Sequence, residues 1–99
     1  YISGQIPLNS ESGKLVEGIE KETHQVMQNL EAILTEAGMT FKNVVKATIF
    51  LKNMDDFAVM NAIYASYLDA DHFPARETVQ VSCLPKNVDI EISMIAHQF

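Results

Sequence analysis

Apolar and polar positions recur along this chain at two periods, and each change of period marks an element. Ile19, Thr23, Val26, Met27, Leu30, Ile33, Leu34 and Ala37 return every three to four residues, as one face of a helix does. Glu20, Lys21, Gln25, Gln28, Glu31 and Thr35 fill the opposite face. Gly38 follows as a C′ glycine, so the spacing predicts a helix of about 19 residues. Phe57, Met60, Ile63, Tyr64, Tyr67 and Leu68 mark a second helical face, ending near Leu68. Asn53 offers its N-cap, and Asp56 stands where a capping-box acid would.

Strand patterns fill the rest. Tyr1 to Ile6 is β-branched and apolar and stops at Pro7; Lys14-Leu15-Val16 reads as the return strand of a hairpin. Val44 to Leu51 alternates Val45, Ala47, Ile49 and Leu51 against Val44, Lys46, Thr48 and Phe50. Thr78 to Leu84 sets Val79, Val81 and Cys83 against Thr78, Gln80 and Ser82. Val88 to His97 alternates most regularly, with Val88, Ile90, Ile92, Met94 and Ala96 on one side. Two helices among these strands predict a two-layer α/β sandwich, a mixed sheet of four or five strands with both helices on one face. The other face is half apolar, with Phe50, Leu84 and Ile95 among Thr48, Glu91 and Ser93. Such a face predicts cover from another subunit.

Ninety-nine residues make one domain, 1–99. Tyr1-Ile2-Ser3 reads as the middle of a strand, so a preceding N-terminal segment is expected. The net charge of −6 and scattered lysines oppose a nucleic-acid surface. The single cysteine, Cys83, excludes a disulfide framework within the chain and reads as a small core residue. No apolar run approaches the length of a membrane span, and a reducing, cytoplasmic setting is the expectation. His24, His72 and His97 lack metal-ligand spacing, and no nucleotide-binding or serine-hydrolase motif occurs. Tyr64 and Tyr67 read as core residues rather than as a ligand platform.

Two residues change the picture. Arg76 is the only arginine, set after Pro74 at a strand entrance. Its planar fork of donors suits a carboxylate better than a lysine does. Taken alone it is a surface arginine. Glu91 lies on the polar side of the last strand, and a subunit covering that face would desolvate it. Arg76 and Glu91, on strands read as neighbours, would form a site that binds a small anion and manages water.

Several segments then agree together. Ser3-Gly4-Gln5-Ile6-Pro7, Val45-Lys46-Ala47-Thr48-Ile49-Phe50-Leu51, Met54-Asp55-Asp56-Phe57, Phe73-Pro74-Ala75-Arg76 and Ile90-Glu91-Ile92 occur in one order along nearly the whole chain. In this the chain resembles the Rid family, the YjgF-like reactive-intermediate deaminases also labelled endoribonuclease L-PSP or translation inhibitors. The resemblance implies a chorismate-mutase-like fold and a homotrimer packed through the open sheet faces, with clefts between subunits. It implies hydrolysis of 2-imino and 2-enamino acids to 2-keto acids and ammonia, with no cofactor and no metal. By that resemblance Arg76 grips the substrate carboxylate and Glu91 positions water. Thr78 contributes its backbone, while Ser3 and Asn61 line or support the cleft. The family's Gly-Pro-Tyr segment has no counterpart here. A non-catalytic carboxylate-binding or regulatory role is the alternative, ahead of a ribonuclease.

Overall fold

The apolar stripes close on one another as a sheet covered by two helices. The structure is a computed structural model and describes residues 1–98. Its elements are β1 (Ile2–Gln5), α1 (Ile19–Glu36), β2 (Val44–Leu51), α2 (Phe57–Ser66), β3 (Ala75–Gln80) and β4 (Ile90–Ala96). Short 3₁₀ turns occupy Phe41–Asn43, Met54–Asp56 and Pro85–Asn87. The sheet runs β1-β4-β2-β3. β4 is antiparallel to both its neighbours, and β2 and β3 are parallel. α2 supplies the crossover that a parallel pair requires.

The core lies between sheet and helices. Ala47, Ile49 and Leu51 of β2 and Ile90, Ile92 and Met94 of β4 meet Val26, Met27, Leu30 and Leu34 of α1 and Met60 of α2, all buried. Each such large side chain contributes roughly 1.5–3 kcal/mol by leaving water. α1 ends as expected, with Gly38 at φ 75 and the Met39 N–H donating back to the Leu34 carbonyl at 2.8 Å. No helix of the described residues is long and apolar enough to cross a membrane.

Several local expectations are corrected. The Lys14–Val16 return strand is a single bridge, Leu8 to Leu15. Ile33 of the predicted apolar face is 38% exposed, and Val45 is 40% exposed while Val44 is buried. A register shift against β4 between Val44 and Lys46 explains the Val44/Val45 exchange. β3 begins three residues before the expected Thr78, because Ala75 to Gln80 pair in register with Lys46 to Leu51. Past the Val81 N–H, which donates to the Leu51 carbonyl, β2 is spent. Cys83 therefore sits in a loop and is exposed, not a core residue. Asn53 does cap, accepting from the Asp55 N–H at 2.9 Å. It opens the 3₁₀ turn rather than α2, and Asp56 makes no side-chain capping bond.

Candidate functional site

In the parallel ladder Arg76 stands opposite Ala47, which is fully buried on the helix-covered face. Its side chain therefore leaves the edge strand toward α2. Asn61 of α2 accepts a hydrogen bond from Arg76 Nη1. The guanidinium carbon lies 5.4 Å from the Phe57 ring centre and 5.3 Å from that of Tyr64. Both distances are within cation–π range. Among the described residues the one ion pair is Lys46 with Glu77, 2.8 Å apart on the open face. The Arg76 charge has no carboxylate beside it within the described chain. A cavity of about 350 Å³ opens in front of it, lined by Asn61, Tyr64, Ala65, Phe73, Pro74 and Arg76.

Two buried hydroxyls near this group lack partners among the described residues, Tyr64 Oη and Thr78 Oγ1. Thr78 pairs with Ile49 two residues beyond Arg76, so both face the helices. Burial raises the Tyr64 phenol above its ordinary pKa, and the Arg76 charge opposes that shift.

Glu91 belongs to a different place. It alternates with buried Ile90 and Ile92 and pairs with Phe50, so it points to the open face. Its carboxylate lies over Gly4 of β1, where an added Cβ would stand 2.5 Å from Oε2. Ser3 precedes Gly4 and is exposed, beside buried Ile2. Arg76, Thr78 and Asn61 thus form one group, and Ser3 and Glu91 another. β3 and β4 are separated by β2, and Arg76 and Glu91 face opposite sides of the sheet. The expectation that Arg76 and Glu91 stand on neighbouring strands is corrected. Within one chain the structure does not bring them together.

Reading the sequence missed Phe57 and Tyr64 as neighbours of Arg76, since aromatics at helical spacing read as core. It also missed Gly4 as the floor under Glu91. A glycine inside a strand pattern is a signal of close approach. A larger concavity of about 660 Å³ lies elsewhere, between α1 and the end of α2. Lys42 stands there with Glu31 and Asp69, and none of the five predicted site residues lines it. Its mixed charge makes it a weaker anion site than the Arg76 cavity. Among the described residues no cluster of three His, Cys, Asp or Glu is placed to hold a metal.

The family model described as Endoribonuclease L-PSP matches residues 1–98. The 2-iminobutanoate/2-iminopropanoate deaminase of Homo sapiens is 46% identical over 99 residues, spanning 99% of this chain and 72% of that protein. The chain belongs to the Rid family. The crystal structure of RidA from the Antarctic bacterium Psychrobacter sp. superposes on this Rid chain with a TM-score of 0.95 at 39% identity, over 99% of this chain and 79% of that one. E. coli TdcF, solved with bound serine, gives 0.92 at 34% identity, over 98% and 78%. The fold of this Rid chain is therefore that of the YjgF/L-PSP proteins, two helices on a mixed four-strand sheet. Other relatives bear the names of a regulator and of RutC family proteins, so membership alone does not fix a reaction.

Proposed function

We propose that this Rid chain hydrolyses small 2-imino acids, and the 2-enamino acids in equilibrium with them, to 2-keto acids and ammonia. The sites would lie between the copies of a homotrimer. The observation that carries this reading is the Arg76 guanidinium, held by Asn61 at a cavity with no carboxylate among the described residues that line it. Such a group suits the carboxylate that every 2-imino acid carries. The serine bound to TdcF supports a ligand of that size.

The chemistry asks little of the protein. Water adds to the imine carbon, forming a C–O bond as the C=N double bond becomes single. Glu91 takes a proton from that water and returns one to the nitrogen. The hydroxyl proton of that adduct then passes through Glu91 to the nitrogen as the C–N bond breaks, so ammonia leaves and the carbonyl forms. Arg76 fixes the substrate, so the reacting atoms meet without a search through orientations. Thr78 adds its backbone beside Arg76, and Ser3 lines the side that Glu91 serves.

Assembly is part of the reading because one chain cannot bring Arg76 and Glu91 to one small molecule. The open face supports it: Val79 is 43% and Ile95 40% exposed, with Phe50 half-buried between their strands. The test is a coupled assay in which a dehydratase releases 2-aminoacrylate or 2-iminobutanoate. The parent should accelerate loss of the imine, and Arg76→Ala should lower kcat/KM by about 100-fold. An Arg76→Ala protein as active as the parent would remove the assigned role.

One observation favours a second reading. The Arg76 group is complete within a single chain, whereas Glu91 is remote from it. A non-catalytic carboxylate-binding protein needs only the first. Binding of 2-oxobutanoate without imine hydrolysis would select it. The net charge of −6 gives no support to RNA cleavage.

A further inference from the structure

Phe57, Asn61 and Tyr64 stand at i, i+4 and i+7 of α2 and so share one stripe of the helix. All three meet Arg76, two through their rings and one through its amide oxygen. We propose that this stripe positions the Arg76 guanidinium before any ligand arrives, and that Phe57 and Tyr64 set the affinity for the ligand carboxylate by acting through Arg76. The inference rests on the reading that Arg76 receives the substrate carboxylate.

The donor count supports it. A guanidinium carries five N–H donors, and Asn61 engages one nitrogen, Nη1. No second partner for the fork is found among the described residues, so donors remain for a ligand. An arginine side chain otherwise samples many rotamers, and fixing it on binding costs affinity. A ring attracts the cation but takes none of the N–H donors that a carboxylate needs. Two rings with one amide therefore restrain the fork while leaving it open.

Tyr64 also shows that its ring, not its hydroxyl, does this. The residue is 3% exposed, and its buried Oη has no partner among the described residues. Removing that hydroxyl should leave Arg76 where it is. Tyr64→Phe is then the conservative variant that separates ring from hydroxyl, and Tyr64→Leu removes the ring.

Because Arg76 is the only arginine, its Nε–Hε signal in the ¹⁵N-labelled full chain is unique without further assignment. In the parent this signal should be displaced from the free-arginine position by the rings. Tyr64→Phe should keep that displacement and the parent's Kd for 2-oxobutanoate. Tyr64→Leu and Phe57→Leu should move the signal toward free arginine. They should also raise KM for the imino acid, and Kd for 2-oxobutanoate, about 3- to 10-fold, with kcat within about twofold. Should Tyr64→Leu fail to fold, the half-buried Phe57 carries the test through Phe57→Leu alone. An Arg76 signal unmoved in the leucine variants would overturn the inference, as would a Tyr64→Phe loss equal to that of Tyr64→Leu. A parent inactive on imino acids would instead sink the proposed reaction, and the Arg76 signal would still decide whether the stripe holds the fork.

Discussion

A single missing methyl group sets where the Glu91 carboxylate can rest. At Gly4 a Cβ would come within 2.5 Å of Oε2, closer than any stable contact, so Gly4→Ala must push the carboxylate aside. β1 is an edge strand and Gly4 is exposed, so the fold should survive this change. We expect kcat/KM to fall about 10-fold with a melting temperature near the parent's, as measured by imine hydrolysis and circular dichroism. The pattern of the sequence shows Glu91 on the polar side of its strand, and the structure agrees. It does not show that Arg76 leaves β3 toward α2, because a strand's inward side is set by its pairing partner. The apolar run Val79, Val81, Cys83 suggested the reverse. Those residues are not held in the core, and Val79 faces the open side with Phe50.

Among the elements, α1 and β2 were the most legible, since each carries a long, regular period. β2 has the predicted bounds, and Ile49 at its centre is fully buried. Ile49→Ala should cost about 2–5 kcal/mol in denaturant unfolding. The sequence reading passed over Glu22, three residues after Ile19, which the structure places on the inward face of α1. It is 4% exposed. Its carboxyl accepts from the Asp89 N–H at 2.8 Å and the Gly18 N–H at 3.2 Å, tying the start of α1 to the turn before β4. Burial, then the neighbouring Asp89 carboxyl, push its pKa up to about 7, although the two backbone donors pull the other way. The folded chain then holds a proton that the unfolded chain has lost. This stabilisation is complete below pH about 4.5 and fades as pH rises to about 7. Lys46 lowers the Glu77 carboxyl, so its opposite effect lies below that window. Asp56, raised chiefly by burial, slopes the same way as Glu22 but from a lower starting point. Glu22→Gln should flatten the fall in unfolding free energy between pH 5 and pH 7. An unchanged slope would mean that Glu22 does not hold the proton.

On the scale of the whole molecule, the proposed site exists only if copies of the chain meet. Sequence pattern could show an uncovered, half-apolar sheet face, yet it could not show that the two halves of the site lie across the sheet from each other. That follows from the register, which sets Arg76 beside buried Ala47 and Glu91 beside Phe50 of the open face, and from the strand order β1-β4-β2-β3, which inserts β2 between them. A lysine in place of Val79 or Ile95 would put a charge into the proposed interface. Either change should convert the proposed trimer to monomer by light scattering and remove activity together with assembly. The most direct measurement mixes two inactive proteins, Arg76→Ala and Glu91→Ala, by denaturing and refolding them together in equal amounts. If each site takes Arg76 from one copy and Glu91 from its neighbour, about one site in four in the mixed trimers regains both residues. Imine hydrolysis should then recover to about a quarter of the parent's rate. A mixture as inactive as its two components would contradict a site built across the subunit boundary.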